Sequence, residues 1–420
     1  MSQLPRVILK AKRARPFFGM HPWVYAGAIE AVEGTPADGT VVDLVSTAGT
    51  FVARGLYNSQ SKIRVRLYSW DPAPALDDAF FRTQLQRAIH LRRDVLRLTG
   101  SCRIVFSEAD GLSGMTIDEF DGWRAEPRKG PVDGDVTRPL TGLGSPERWL
   151  VVQFTSLAMA QRREMFADLL TELVQPAGIY LRTERGIGQL EGLELHDGPL
   201  GGNVPTEPII IEENGLRLYV HLSEGQKTGY YLDQRDNRQV VARLAVGRRM
   251  LDAFCYSGGF GLHAARAGAD SVLGIDASEP ALELARANAT LNSLTNIRFE
   301  KGDVFGQLDR LVAANERFGV VVLDPPKFAR SKAAIDEALR GYRRLIVQSL
   351  KSLEPDGILA MCCCSGLIER QMLHDLLAQE ASQARRPLQI LESRGAAPDH
   401  PVSAMCPETN YLKCVVCRVV

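Results

Sequence analysis

Between Arg249 and Ala384 the chain alternates strand-like and helix-like patterns, and no other feature limits its architecture as tightly. The short apolar runs RMLDAF, SVLGID, NIRFE, GVVVLD and GILAMCC have the length of strands. A sixth, LQILES, follows. Helical patterns fit between these six, long enough to carry the chain back across a sheet, so the strands are expected to be parallel. The last pattern, YLKCVVCRV, has no helix before it and is expected to insert antiparallel. The expectation is an α/β domain on a seven-stranded, mostly parallel sheet.

Two units precede it. Residues 1–72 read as a small β-rich domain: GTVVDLVSTAGTFVARGLYN gives two apolar runs around a turn, and KIRVRLYS alternates with period two. Lys62, Arg64 and Arg66 are expected to project between its apolar residues. Residues 73–200 read as a central α/β unit. It has a helix over 79–98, strands in CRIVFSEAD, GMTIDEF and RWLVVQFTS, and a helix near 160–175. Asp121 to Arg148 holds five Gly and four Pro and is expected to be a long exposed loop or hairpin tip. The third unit is 201–420.

The formal net charge is zero, so no global charge announces a nucleic-acid partner. Locally, Met1 to Trp70 carries nine Lys/Arg against four Asp/Glu, which suits either a basic face for an acidic partner or a solvated surface. The N-terminus lacks a secretory apolar core, and no run approaches a membrane span, so a cytoplasmic protein without membrane contact is expected. The eight cysteines are unevenly spaced and do not form a secreted disulfide framework.

Chemistry concentrates at the strand ends. LDAFCYSGGFGLHAARAGADSVLGID is a strand, a glycine-rich turn, a helix and a second strand ending in Asp276. Such a turn lets a ligand approach the backbone, and an acid at the second strand end can bind ribose hydroxyls. The glycines do not spell the dinucleotide pattern, so an adenosine-type ligand without pyrophosphate fits better. EKGDVF places Asp303 after the third strand, where it suits an adenine amine or a helix N-cap equally. VVVLDPPKF places Asp324-Pro325-Pro326 after the fourth. Two prolines force a rigid extended exit and leave carbonyls unopposed by N–H groups. Acids and glycines at successive strand ends resemble a class I S-adenosylmethionine-dependent methyltransferase, with its Rossmann-like sheet.

The segments EGQKTGYYLDQRDNR (224–238), DAFCYSGGFGLHAA, DPPKFARS and CCSGL, in that order, resemble the ribosomal RNA large-subunit methyltransferase I family. GMHPWVYAGAI and GLYNSQSKIRVR are similar to its N-terminal PUA segment, and SEADGLSGMTIDEF to its central domain. The resemblance implies 5-methylcytosine formation in ribosomal RNA and a homodimer. It implies cofactor contacts from Asp233, Gln234, Arg235, Asp252, Phe254, Tyr256, Ser257, Gly258, Asp276, Ala277, Asp303, Val304 and Asp324. Candidate RNA contacts are Lys12, Arg13, Arg15, Lys62, Arg64 and Phe328. The run of three cysteines and the length of the 121–148 loop depart from the family pattern.

MCCCSG (361–366) asks which thiol, if any, reacts. Alternation sends Cys362 and Cys363 to opposite faces of the fifth strand, into core. Cys364 falls where the chain turns toward a helix expected near Ile368, beside Asp324-Pro325-Pro326. It directly precedes Ser-Gly-Leu, as in the family motif, which assigns it as nucleophile. A thiolate adding to C6 of cytosine makes C5 nucleophilic enough to take a methyl group, and a helix N-terminus would favour that thiolate. No second cysteine follows Asp324-Pro325-Pro326, so the base that removes the C5 proton is open: Asp324 is the candidate, with Lys327 as a substrate contact. No metal is expected, because CCC lacks a spaced partner pair and Cys414-Val-Val-Cys417 sits in a strand pattern, its ends facing opposite ways. His400 reads as a satisfied loop histidine. N-methylation of a guanine amine, or a non-catalytic RNA-binding assembly factor, are the other readings.

Overall fold

The computed structural model describes residues 4–125, 145–184, 186–223, 228–329 and 331–420. The first unit is a six-stranded sheet of β1 (Arg6–Leu9), β2 (Trp23–Tyr25), β3 (Ile29–Glu33), β4 (Val41–Val45), β5 (Phe51–Tyr57) and β6 (Ile63–Ser69), ordered β2-β6-β5-β4-β1-β3. A single turn of helix, α1 (Arg15–Phe18), covers one end. Period-two alternation buries Val65 and Leu67 in this sheet's own core. Arg66 does not project into solvent with Lys62. It is buried at the domain junction, where it pairs with Glu108 and Glu191, each at 3.3 Å. The neighbouring domain covers the face that alternation alone assigns to water.

The central unit begins with α2 (Asp78–His90), whose first turn is capped by Asp77 accepting from the Phe80 N–H at 3.0 Å. Then come β7 (Cys102–Phe106), β8 (Met115–Arg124), β9 (Glu147–Phe154), α3 (Leu157–Ala160), α4 (Arg163–Val174), β10 (Gly178–Leu181), α5 (Ile187–Glu191), β11 (Gly198–Gly202), β12 (Ile209–Glu213) and β13 (Leu216–Val220). The sheet runs β11-β10-β9-β8-β12-β13, with β7 also on β8. One sequence expectation is narrowed and one changes here. At the ends of 121–148 the chain is the flank of a hairpin, with Asp121–Arg124 and Glu147–Arg148 in paired strand; residues 126–144 lie outside the described residues. The sheet also continues past 200, because β12 pairs β8 as well as β13. The break in sheet topology therefore follows Val220.

The third unit holds α6 (Arg235–Leu244), β14 (Arg249–Ala253), α7 (Gly259–Ala267), β15 (Ser271–Asp276), α8 (Glu279–Leu291), β16 (Ile297–Lys301), α9 (Val304–Ala313), β17 (Phe318–Leu323), α10 (Ile335–Ser352), β18 (Leu353–Cys363), α11 (Arg370–Ala384), β19 (Leu388–Arg394) and β20 (Lys413–Val419). The order is β16-β15-β14-β17-β18-β20-β19, parallel except for β20, which is antiparallel to both neighbours. Every residue of β17 is buried, as a strand with helices on both faces requires. Val321 and Leu323 enter one core layer, Val320 and Val322 the other. Each such side chain contributes about 1.5–3 kcal/mol on burial.

The segment between β19 and β20 folds back onto the central sheet. Asp399, with no exposed side-chain surface, accepts from the Arg103 N–H at 2.9 Å and from Arg235 Nη2 at 3.4 Å, and contacts His400 Nδ1 at 3.0 Å. Arg92 Nη2 donates to its carbonyl at 2.7 Å. Removing one member of a buried charged network leaves the others unpaired. Asp399→Ala is expected to destabilise the protein by about 3–5 kcal/mol, read by urea denaturation. A loss near zero would show that the segment docks without this anchor.

Candidate active site

The reversal of strand order between β14 and β17 opens a crevice at their carboxyl ends. Chain leaving β14 makes a compressed loop in which Phe254, Tyr256 and Gly258 have φ of 64, 49 and 85°. At Gly258 a side chain would meet that conformation and also Leu262 and Phe299, each at 3.1 Å. Asp276 ties two strand-end loops together. Its Oδ2 accepts from the Tyr256 N–H and its Oδ1 from the Ser278 N–H, both at 2.9 Å. Ala277 is exposed beside it, and Ser257 is buried in the turn.

Asp252 lies under this turn. Its Oδ2 accepts from the Gly261 N–H at 2.8 Å, and its Oδ1 is buried without a hydrogen-bond partner. Burial pushes the carboxyl up to about 7, against the pull of the Gly261 N–H. An acceptor left open beneath a glycine turn suits the polar part of an adenosine-type ligand. Asp276 at the next strand end supplies a fixed carboxylate.

The other predicted cofactor residues divide. Gln234 Nε2 donates to Asp324 Oδ2 at 3.1 Å, and the Asp324 N–H reaches Ala253 O at 3.3 Å, so these residues meet at the β14/β17 crevice. Asp233 accepts from the Tyr411 hydroxyl. Arg235 instead turns to the central domain, donating to Ser101 O at 3.3 Å and to Asp399; it is a domain anchor. Asp303 is exposed and caps α9, accepting from the Gly306 N–H at 2.9 Å. Val304 is core. Phe254 packs its ring on Phe305 at 6.4 Å, leaving backbone at the strand end.

Cys364 leaves β18 beside β17, with Sγ 4.0 Å from Pro325 O. Seven of the eight free cysteines are buried; Cys364 is half-buried. Cys362 and Cys363 enter opposite core layers, as do Cys414 and Cys417. The next helix, α11, starts at Arg370, close to the expected Ile368, after a turn in which the Ile368 N–H reaches Ser365 O at 3.3 Å. One expectation around Cys364 changes. Phe328 is not an open stacking platform, since its ring packs on Tyr342 at 4.9 Å and Phe305 at 6.2 Å. Lys327 is exposed, as are Lys12, Arg13, Arg15 and Lys62; Arg64 is half-buried, reaching Asn58 O at 3.5 Å.

Sequence reading missed Tyr411 and Lys413, which come to this site from the far end of the chain. Lys413 had a signal, a lone cation entering an apolar strand. His21, Cys406 and Glu408 also gather, at the junction with the first unit. There His21 Nδ1 accepts from the Trp23 N–H at 3.2 Å, which places the ring proton on Nε2, 3.4 Å from Glu408. That ring offers Glu408 a proton rather than a cation a lone pair.

Residues 7–70 match the PUA-like domain family, and residues 199–410 match the S-adenosylmethionine-dependent methyltransferase family. The chain is 37% identical over 416 residues to a ribosomal RNA large subunit methyltransferase I of Aeromonas salmonicida, covering 98% of each. It is 39% identical over 420 residues to that of Tolumonas auensis, covering 99% of each. This chain belongs to the ribosomal RNA large subunit methyltransferase I family. Its cofactor is S-adenosylmethionine, and the Asp252 and Asp276 cradle fits that ligand. The fold is shared with a methyltransferase, SMU.776, crystallised with SAH (TM-score 0.81, 20% identity, 99% of this chain and 100% of that one). It is shared also with an S-adenosylmethionine-dependent methyltransferase from Streptococcus mutans (TM-score 0.79, 20% identity, 99% and 100%). Among the described residues no helix is long and apolar enough to cross a membrane.

The Asp252 carboxyl makes the stability of this methyltransferase depend on pH. Its native value, about 7, lies above that of an unfolded aspartate. Between those values the native state holds a proton that the unfolded chain has lost, so stability falls as pH rises through the window. Asp252→Asn removes this dependence. Without cofactor, the unfolding free energy of wild type relative to Asp252→Asn is expected to fall between pH 5 and 7, by at most about 1.4 kcal/mol per pH unit. Parallel urea-denaturation curves for the two proteins at every pH would overturn the assignment.

Proposed function

We propose that the protein methylates C5 of a cytosine in large-subunit ribosomal RNA, through a transient bond between Cys364 and C6. The observation that carries this reading is Cys364 itself. It is the one cysteine not buried in core, and it stands at the carboxyl ends of adjacent strands next to Pro325 and Asp324. The curated relatives' names supply the RNA class, and the PUA-like domain supplies a module suited to RNA.

The cofactor brings an electrophilic methyl group on a sulfonium. Cys364, as thiolate, adds to C6 of the target base and makes C5 nucleophilic. C5 then takes the methyl group. Asp324, held by Gln234, removes the C5 proton, and the electron pair returning to the ring expels the Cys364 thiolate. The target base must leave its stack to reach these groups. The Asp324-Pro325-Pro326 exit offers acceptor oxygens to its edge. Exposed Lys12, Arg13, Arg15 and Lys62, with half-buried Arg64, serve the phosphate backbone, and exposed Lys327 contacts the substrate.

The test is methylation of unmodified large-subunit ribosomal RNA, with the product nucleoside identified by mass spectrometry. Wild type is expected to form 5-methylcytidine. Cys364→Ala is expected to lose at least about a thousandfold in rate while S-adenosylmethionine still raises its melting temperature. A methylguanosine product that survives Cys364→Ala would move the chemistry to Asp324 and the exocyclic amine. No thermal shift in wild type at saturating cofactor would favour a non-catalytic binding protein.

A further inference from the structure

Lys413 opens β20 and pairs across the antiparallel ladder with Cys363. It is 3% exposed, between Leu412 and the fully buried Cys414. An ammonium in such a place is costly unless it is held. Its Nζ donates to Ser365 O at 2.9 Å and to Tyr411 O at 3.2 Å. Both acceptors are neutral carbonyls, so these bonds hold the ammonium without cancelling its charge. The first of them fixes the residue that follows Cys364.

The charged and titratable groups around Lys413 are the thiols of Cys363 and Cys364, the Arg370 guanidinium and the Glu369 carboxylate. Burial lowers the ammonium's pKa, and the two thiols act against that lowering. Around Cys364 stand Tyr231 ahead of α6, Asp324 after β17, Tyr342 on α10 and Lys413 on β20. Asp324 carries the negative charge that opposes a thiolate, while burial raises both phenols and keeps them neutral. Lys413 is the cation of the set.

We propose that Lys413 is the positioning residue of the Cys364 nucleophile: it clamps the Ser365 carbonyl, so fixing the turn, and lends its positive charge to the thiolate. The inference rests on Cys364 being the reacting group. A cation held on the residue that follows the thiol favours the thiolate over the thiol.

The experiment is carboxamidomethylation of the full-length protein with iodoacetamide across pH 5–10, read at the Cys364 peptide by mass spectrometry. Iodoacetamide reacts with the thiolate, displacing iodide, so the rate profile reports the thiol's ionisation whatever base the enzyme methylates. In wild type the midpoint is expected well below the ordinary cysteine value of about 8.5. Lys413→Met and Lys413→Gln are expected to raise the midpoint by about one unit or more. At pH 7 their labelling should slow about tenfold, with the plateau rate near pH 10 retained. Lys413→Arg should keep the wild-type midpoint. A wild-type midpoint at or above 8.5 overturns the proposal without any variant. An unchanged midpoint in Lys413→Met, with a plateau that falls at all pH values, also overturns it, leaving Lys413 a purely structural clamp. Methylation surviving Cys364→Ala would instead strike at the nucleophile, and the labelling profile would still read whether Lys413 sets that thiol's ionisation.

Discussion

The crevice between β14 and β17 exists because parallel strands need crossover helices, and here the crossovers reverse direction. β14 leads outward to β15 and β16 on one side, while β17 and β18 build on the other. No helix can cover the carboxyl ends at the point of reversal, so loops alone line it. Everything chemical in this protein is arranged around that gap. Asp276 ends β15, and the glycine turn, Asp324 and Cys364 begin where β14, β17 and β18 stop. The rigidity of the sheet passes to Asp276, Asp324 and Cys364 through at most one peptide bond.

The crevice is closed from outside by parts of the chain that are not in the parallel sheet. Residues ahead of α6 bring Gln234 to Asp324, and the return between β19 and β20 brings Tyr411 to Asp233. The same return carries Asp399 to the central sheet, where Arg92, Arg103 and Arg235 meet it. One buried network therefore holds the methyltransferase domain against the central domain and sets the walls of the site. Fully satisfied buried networks rigidify; partly satisfied ones are costly. That is why the anchor residues sit in the interior although they touch no reacting atom.

Three adjacent cysteines take three fates through strand geometry alone. Cys362 and Cys363 still belong to β18 and alternate into its two core layers, where Cys363 accepts from the Tyr342 hydroxyl at 3.3 Å. Cys364 lies one residue past the strand. A thiol in core behaves as a small hydrophobe. The same thiol one peptide further on leaves the core and faces the Pro325 carbonyl, and the next residue is held by Lys413.

Local patterns determined much of this protein. Short continuous apolar runs and intervening helical stretches set the strands, the parallel sheet and the antiparallel last strand, because burial on both faces forces that composition. The acids at strand ends and the Asp-Pro-Pro exit were legible for the same reason: they mark where apolar sequence stops. Tertiary structure decided what depends on contacts between distant segments. It buried Arg66, turned Arg235 toward the central domain, packed Phe328 into an aromatic cluster and extended the central sheet to Val220. It also carried Lys413 to the turn that follows Cys364. A side chain's neighbours across a sheet or a domain junction are set by packing and electrostatics between elements far apart in sequence, and no local period encodes them.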